Sequence, residues 1–83
     1  MEIYGSAHKH GVADADIEHA VRHALVTAED GNDKCLYLGP DRAGNLLEVV
    51  SVIRDDGTEI IIHAMHMRSM YEPLLRELGG PDV

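Results

Sequence analysis

His63 and His66 stand three positions apart near the end of one apolar run, and His10 follows Lys9 near the amino terminus. Arg68 and Tyr71 come directly after the run. Cleaving an RNA phosphodiester needs a base for the 2′-hydroxyl, a cation for the charge that builds on the phosphorane, and an acid for the leaving oxygen. Imidazole, ammonium, guanidinium and phenol are the right types of group. His10, His63 and His66 are therefore the candidate proton carriers. Lys9, Arg68 and Tyr71 are the candidate substrate contacts.

The stretch that must position these groups runs from Leu46 to Met67. Two runs rich in Val and Ile flank Asp55-Asp56-Gly57-Thr58. Asp-Gly suits a turn with positive φ, so the two runs read as an antiparallel hairpin. Strict alternation on the second strand puts Ile61, His63, Met65 and Met67 on one face. It puts Ile60, Ile62, Ala64 and His66 on the other. His63 and His66 then serve separate roles unless a bulge intervenes. Across a short hairpin His63 falls beside Glu48 or Val50, and a Glu48–His63 pair would fix the imidazole tautomer. The plainer alternative is a half-exposed charge pair that only sets strand register.

The rest of the chain divides around this hairpin. Ile3 and Tyr4 suit a brief strand or an apolar anchor, and Ser6 to His10 one helical turn closed by Gly11. Val12 to Ala28 reads as the clearest helix. Asp14 serves as N-cap, and Ile17, Ala20, Val21, Ala24 and Leu25 form one apolar stripe. Cys35-Leu36-Tyr37-Leu38 is a short strand. The Gly39–Asn45 connector lies between two strands, so it reads as a turn and not as a phosphate-binding loop, which needs a helix after it. Ser69 and Glu72 have capping-box spacing, and Met70, Leu74, Leu75 and Leu78 follow helical spacing. Gly79-Gly80-Pro81 is expected to stop that helix, with residues 79–83 a frayed tail. The expected architecture is one α+β domain over residues 1–83. It has two layers: an N-terminal helix, a three-stranded antiparallel meander sheet and a C-terminal helix.

Composition narrows the classes. The 83 residues suffice for one small domain with a thin stability margin. The chain lacks Phe and Trp, so aliphatic residues and Met must fill the core, and a partner chain or homodimer covering apolar surface fits that. Seven basic against fifteen acidic residues give −8, which lowers the expectation of phosphate binding without excluding a local basic or histidine-rich patch. The single cysteine, Cys35, excludes an intramolecular disulfide and a multi-thiolate zinc site, and reads as a small buried hydrophobe. His8 with His10, or His19 with His23, would need a further ligand in space to hold a metal. No apolar run spans a bilayer and the amino terminus has no signal core, so a cytoplasmic protein is expected.

Lys9-His10-Gly11-Val12 followed by Ile17-Glu18-His19-Ala20 resembles the Lys-His-Gly-Val and following helix of BrnT-type toxins. Leu38-Gly39, then Gly44-Asn45-Leu46-Leu47-Glu48-Val49-Val50, resembles their Ile-Gly, spacer and Gly-Arg-Leu-Leu-Val-Val-Val strand. Ile60-Ile61-Ile62-His63-Ala64 is similar to their last strand, which ends near Ile-Ser-Ala-Arg. The resemblance runs from about Ser6 to Tyr71. It implies a RelE-like fold and a ribonuclease toxin of a type II toxin–antitoxin pair, with no metal cofactor. The implied partner is a small antitoxin, often with a ribbon-helix-helix DNA-binding part. Lys9 and His10 match the family's Lys-His-Gly. The family's arginines are replaced, by Met65 and His66 after Ala64 and by Asn45 before Leu46, and the chain is acidic where the family is basic. Two readings follow: a toxin-like endoribonuclease with histidine-based chemistry, and a non-catalytic RelE-fold protein that binds an antitoxin-like chain or itself.

Overall fold

The computed structural model describes residues 1–78. The chain forms β1 (Glu2–Ile3), a 3-10 turn (Gly5–His8), α1 (Asp14–Arg22), β2 (Val26–Glu29), β3 (Lys34–Pro40), β4 (Leu46–Ile53) and β5 (Glu59–His66). A second 3-10 turn (Ser69–Tyr71) then leads into α2 (Glu72–Leu78). The strands make one five-stranded sheet in the order β1-β5-β4-β3-β2. Neighbours from β2 to β5 are antiparallel, and β1 adds to the outer edge of β5 in parallel.

This corrects the expected three-stranded antiparallel meander between N- and C-terminal helices. The three expected strands are present, but two more flank them. The helix stripe expected to run to Ala28 stops at Arg22, and Val26–Glu29 pairs with β3 instead. Val26 and Thr27 are β-branched and favour extended backbone. Leu25 N–H donates to the Leu38 carbonyl at 2.8 Å, so the sheet supplies the hydrogen bonds that a longer helix would have supplied. The N-cap is Ala13, without a side-chain bond; Asp14 instead pairs with His8. At the other end, the Ser69–Glu72 spacing spans a 3-10 turn with no side-chain cap at its start. The expected stop at Gly79-Gly80-Pro81 and the tail over 79–83 lie outside the described residues.

The hairpin forms as expected. Arg54 and Thr58 close it through a 2.9 Å backbone bond, and Gly57 takes φ +88 within the turn. The alternation on β5 is broken once. His63 pairs with Val50 but Ile61 pairs with Ser51, so Ile62 is an extra residue in the ladder. The bulge lets Ile61 and Ala64 both face α1, where they are fully buried. His63 and Met65 take the opposite face. The expected grouping of Ile61 with His63 is therefore corrected.

α1 covers one face of the sheet. Its Ile17 and Ala20 pack against Leu47, Val49, Ile61 and Ala64, with Ala7 of the first 3-10 turn and Tyr37 at the margin. These are small or aliphatic side chains, so the helix comes close. A Cβ placed on Gly39 would stand 2.2 Å from the Ala20 carbonyl oxygen. Arg42 in the β3–β4 loop ties the helix down from the other side, donating through Nε and its backbone N–H to Asp16 Oδ1 at 2.9 and 3.0 Å. α2 lies against β2 at the far end of the sheet.

Gly39→Ala has backbone, not a flexible side chain, to displace. It is expected to destabilise the fold by about 1–3 kcal/mol, read as a lower urea midpoint with unchanged denaturant slope.

Candidate functional site

β4 reads Leu-Leu-Glu-Val-Val-Ser-Val-Ile, and its one charged residue, Glu48, is fully buried. A buried carboxylate is tolerated only where hydrogen bonds and cations replace its water. Here they come from three directions. His63 Nε2, one ladder position diagonal on β5, lies 3.0 Å from Oε2. The Arg68 backbone N–H donates to Oε1 at 2.9 Å. The Arg68 guanidinium forks onto the carboxylate, Nη2 to Oε2 at 2.7 Å and Nε to Oε1 at 3.1 Å. Burial pushes the Glu48 carboxyl up, but the Arg68 fork, the Arg68 N–H and the His63 ring together outweigh it. The carboxyl sits below the usual carboxylate range.

The local chain path explains this convergence. The ladder continues for one bond past β5, from Met67 N–H to the Leu46 carbonyl at 2.9 Å. The next N–H, that of Arg68, turns onto the Glu48 side chain instead. An ionised carboxylate only accepts hydrogen bonds, so His63 must donate from Nε2. That leaves Nδ1 as the free nitrogen of the neutral ring.

His10 completes the cluster. The 3-10 turn before it is clamped to the outer edge of β5. Tyr4 N–H donates to the Ile61 carbonyl at 2.9 Å, and Ser6 Oγ donates to the carbonyl of the bulged Ile62 at 2.8 Å. Ala7 is fully buried under the same edge. The chain then turns through Gly11, and the His10 ring stands edge-on to His63, with centroids 5.7 Å apart and planes at 79°.

The sequence-derived candidates therefore separate. The structure brings His63, Arg68 and His10 together. Tyr71 follows Arg68 by one 3-10 turn, its N–H donating to the Arg68 carbonyl at 3.0 Å. Lys9 is exposed next to His10. His66 pairs with Leu47, whose side chain lies in the core beneath α1, so His66 is on the other face from His63. Glu48 was legible only as a partner for His63. Its hold on Arg68, 20 positions away, was not. A lone acid inside an apolar strand is the signal that could have pointed to it.

Two other polar clusters emerge. Tyr37 and Ser51 both donate to Glu59 Oε2, Ser51 Oγ at 2.6 Å. Burial, then the bond to Glu59, pushes the Tyr37 phenol well above its ordinary range, so it stays a donor. Burial likewise raises the Cys35 thiol beside it. At the end of α1, His19 and the C-cap residue His23 stack with centroids 4.3 Å apart, and His19 Nδ1 bonds the Pro40 carbonyl at 2.9 Å. Among the described residues no three His, Cys, Asp or Glu side chains are grouped to hold a metal ion, and no helix is long and apolar enough to cross a membrane.

No family model, no curated protein and no solved structure matches this chain.

The linkage of Glu48 to folding has a definite sign. Its folded-state pKa lies below its unfolded value, so the unfolded chain binds more protons as pH falls past the ordinary carboxylate range of about 4.3. Its stabilising contribution is full above that range and is lost as pH falls through the depressed folded value. Glu48→Gln is expected to flatten the acid limb of the stability–pH curve relative to wild type. Arg68→Ala leaves the buried carboxylate short of its main cation and is expected to lower the urea midpoint at neutral pH. Chemical denaturation from pH 3 to pH 7 checks both.

Proposed function

We propose that this chain is a toxin-like, BrnT-like endoribonuclease that cleaves RNA without a metal ion, paired in the cell with a small antitoxin. The observation that supports this reading most is the buried Glu48 carboxylate holding His63 and Arg68 side by side, with a second imidazole, His10, against the first.

In this reading His63 Nδ1 takes the proton from a ribose 2′-hydroxyl. The 2′-oxygen attacks the adjacent phosphorus, and the bond from phosphorus to the 5′-oxygen breaks. His10, as imidazolium, protonates the leaving 5′-oxygen. The products are a 2′,3′-cyclic phosphate and a 5′-hydroxyl, and the two imidazoles exchange protonation states. Arg68 is half exposed, with Nε and Nη2 committed to Glu48, so its remaining edge is the part that meets phosphorane charge. Lys9 supplies a nearby mobile cation. Glu48 touches no substrate; it sets the tautomer of His63 and the angle of Arg68.

A second reading, a non-catalytic protein that binds an antitoxin-like chain or itself, is favoured by two observations. The net charge of −8 opposes RNA at long range, and most of the Arg68 fork is spent inside the protein.

Incubation of the purified chain with a single-stranded RNA oligonucleotide in EDTA separates the two. Cleavage ending in 2′,3′-cyclic phosphate is expected. His63→Ala and His10→Ala should each slow it by about 10²–10⁴-fold, the usual worth of one acid or base, while His66→Ala leaves it unchanged. Intact RNA with folded wild-type protein transfers the assignment to the binding reading.

A further inference from the structure

A pocket of about 210 Å³ opens on the same face of the sheet as His63, lined by Asp30, Lys34, Cys35, Leu36, Val50 and Tyr71. Its position follows from strand register. Leu36 on β3 pairs with Val50 on β4, and Val50 pairs with His63 on β5, so the pocket floor and the imidazole stand in one row across the same face of the sheet. Tyr71 closes the row from above. It is partly buried, and it follows Arg68 by one 3-10 turn, with its N–H donating to the Arg68 carbonyl at 3.0 Å. The pocket thus shares one wall with the Glu48–Arg68 clamp and one floor residue with the His63 cross-strand pair.

The lining has a particular chemistry. Leu36 and Val50 make an apolar floor, and Tyr71 supplies an aromatic ring. The rim carries one ammonium, Lys34, and one carboxylate, Asp30. Asp30 sits at the start of the β2–β3 turn, where its backbone N–H donates to the Lys34 carbonyl at 3.2 Å and its Oδ1 accepts the Asn32 N–H at 2.9 Å. Among the described residues Oδ2 has no hydrogen-bond partner, and Asp30 lines the pocket. A pocket with an apolar floor, an aromatic ring and a mixed-charge rim suits an object with π-faces and a polar edge.

Resting on the proposed endoribonuclease, we infer that this pocket receives one unpaired nucleobase of the RNA, stacked on Tyr71, and that guanine fits it best. Single-stranded RNA is commonly read by stacking a splayed base on an aromatic ring and bonding its edge. Guanine is the base whose single edge offers a carbonyl oxygen to an ammonium and two N–H groups to a carboxylate. Lys34 and Asp30 are that pair. A base held here fixes its own ribose and phosphate near the row that ends in His63, so the pocket determines which phosphodiester is cut. This also supplies binding energy that does not depend on a basic surface, which an acidic chain needs. The alternative occupant, an apolar side chain of a protein partner, would ignore Lys34 and Asp30.

The test is titration of the ¹⁵N-labelled chain with the four nucleoside 5′-monophosphates, read by amide shifts at Leu36, Val50 and Tyr71. Saturable shifts are expected, with the guanosine nucleotide binding tightest. Tyr71→Ala should weaken that binding about tenfold or more, and Tyr71→Phe, which keeps the ring, should retain it. Asp30→Asn should erase the preference for guanine. His63→Ala should leave nucleotide binding unchanged while slowing cleavage by about 10²–10⁴-fold. Binding without any RNA cleavage by the wild type would keep the pocket and remove the nuclease. Cleavage by a chain whose pocket amides do not respond to any nucleotide, or that Tyr71→Ala leaves unaltered in rate and base preference, would overturn the pocket and keep the nuclease. Equal response to all four nucleotides, unaffected by Asp30→Asn, would overturn the guanine assignment.

Discussion

A carboxylate buried in the middle of a sheet is the constraint around which this domain is arranged. Glu48 has no water to solvate it, so every neighbour must be a donor. That requirement fixes the His63 ring, captures the first backbone N–H beyond β5 and turns the Arg68 guanidinium back over the sheet. The chain leaves β5 with Arg68 bonded to that carboxylate, and the 3-10 turn and α2 come next. Replacing the group by an apolar isostere could leave a stable sheet, since buried ion pairs often return little net stability. Its presence inside an apolar strand makes sense as a means of orienting two side chains, those of His63 and Arg68.

Opposite this polar centre the core is made of small and aliphatic side chains. Ala7, Ala20 and Gly39 permit close approach, and the large buried residues there are Ile17, Leu47 and Ile61, with Val49. The sheet therefore has two unlike faces. One is packed beneath α1 and carries the Tyr37–Ser51–Glu59 bonds toward the hairpin end. The other carries Glu48, His63 and the pocket beside Tyr71. The bulge at Ile62 joins the two, because it lets Ile61 and Ala64 fill the core while His63 points away from it. The same bulge presents the Ile62 carbonyl to Ser6, which seats the turn that carries His10. Core packing and the placement of the second imidazole are consequences of one extra residue.

The sequence disclosed the parts of this design whose signals are local. The Asp-Gly turn between two β-branched runs identified β4 and β5, and Cys35-Leu36-Tyr37-Leu38 located β3. The period-2 relation of His63 to Glu48 and Val50 was legible once the hairpin was drawn. The edge strands were not. Val26–Glu29 continues the apolar stripe of α1 closely enough to look helical, and only pairing with β3 makes it a strand. Glu2–Ile3 is a strand solely because β5 lies beside it. The Ile62 bulge leaves no mark in the amino-acid pattern. Bonds between distant positions, such as Arg68 to Glu48 and Tyr37 to Glu59, depend on how the chain closes and have no periodicity to betray them.

Glu48 holds His63 with Nε2 protonated and Nδ1 free. Long-range ¹H–¹⁵N correlation spectra of the imidazole at neutral pH read that tautomer directly. The Nε2–H form in the wild type, with its population altered in Glu48→Gln, is the expected result. A wild-type His63 protonated at Nδ1 and bare at Nε2 would contradict it, because the ring could then neither donate to Glu48 nor offer the nitrogen assigned to the base.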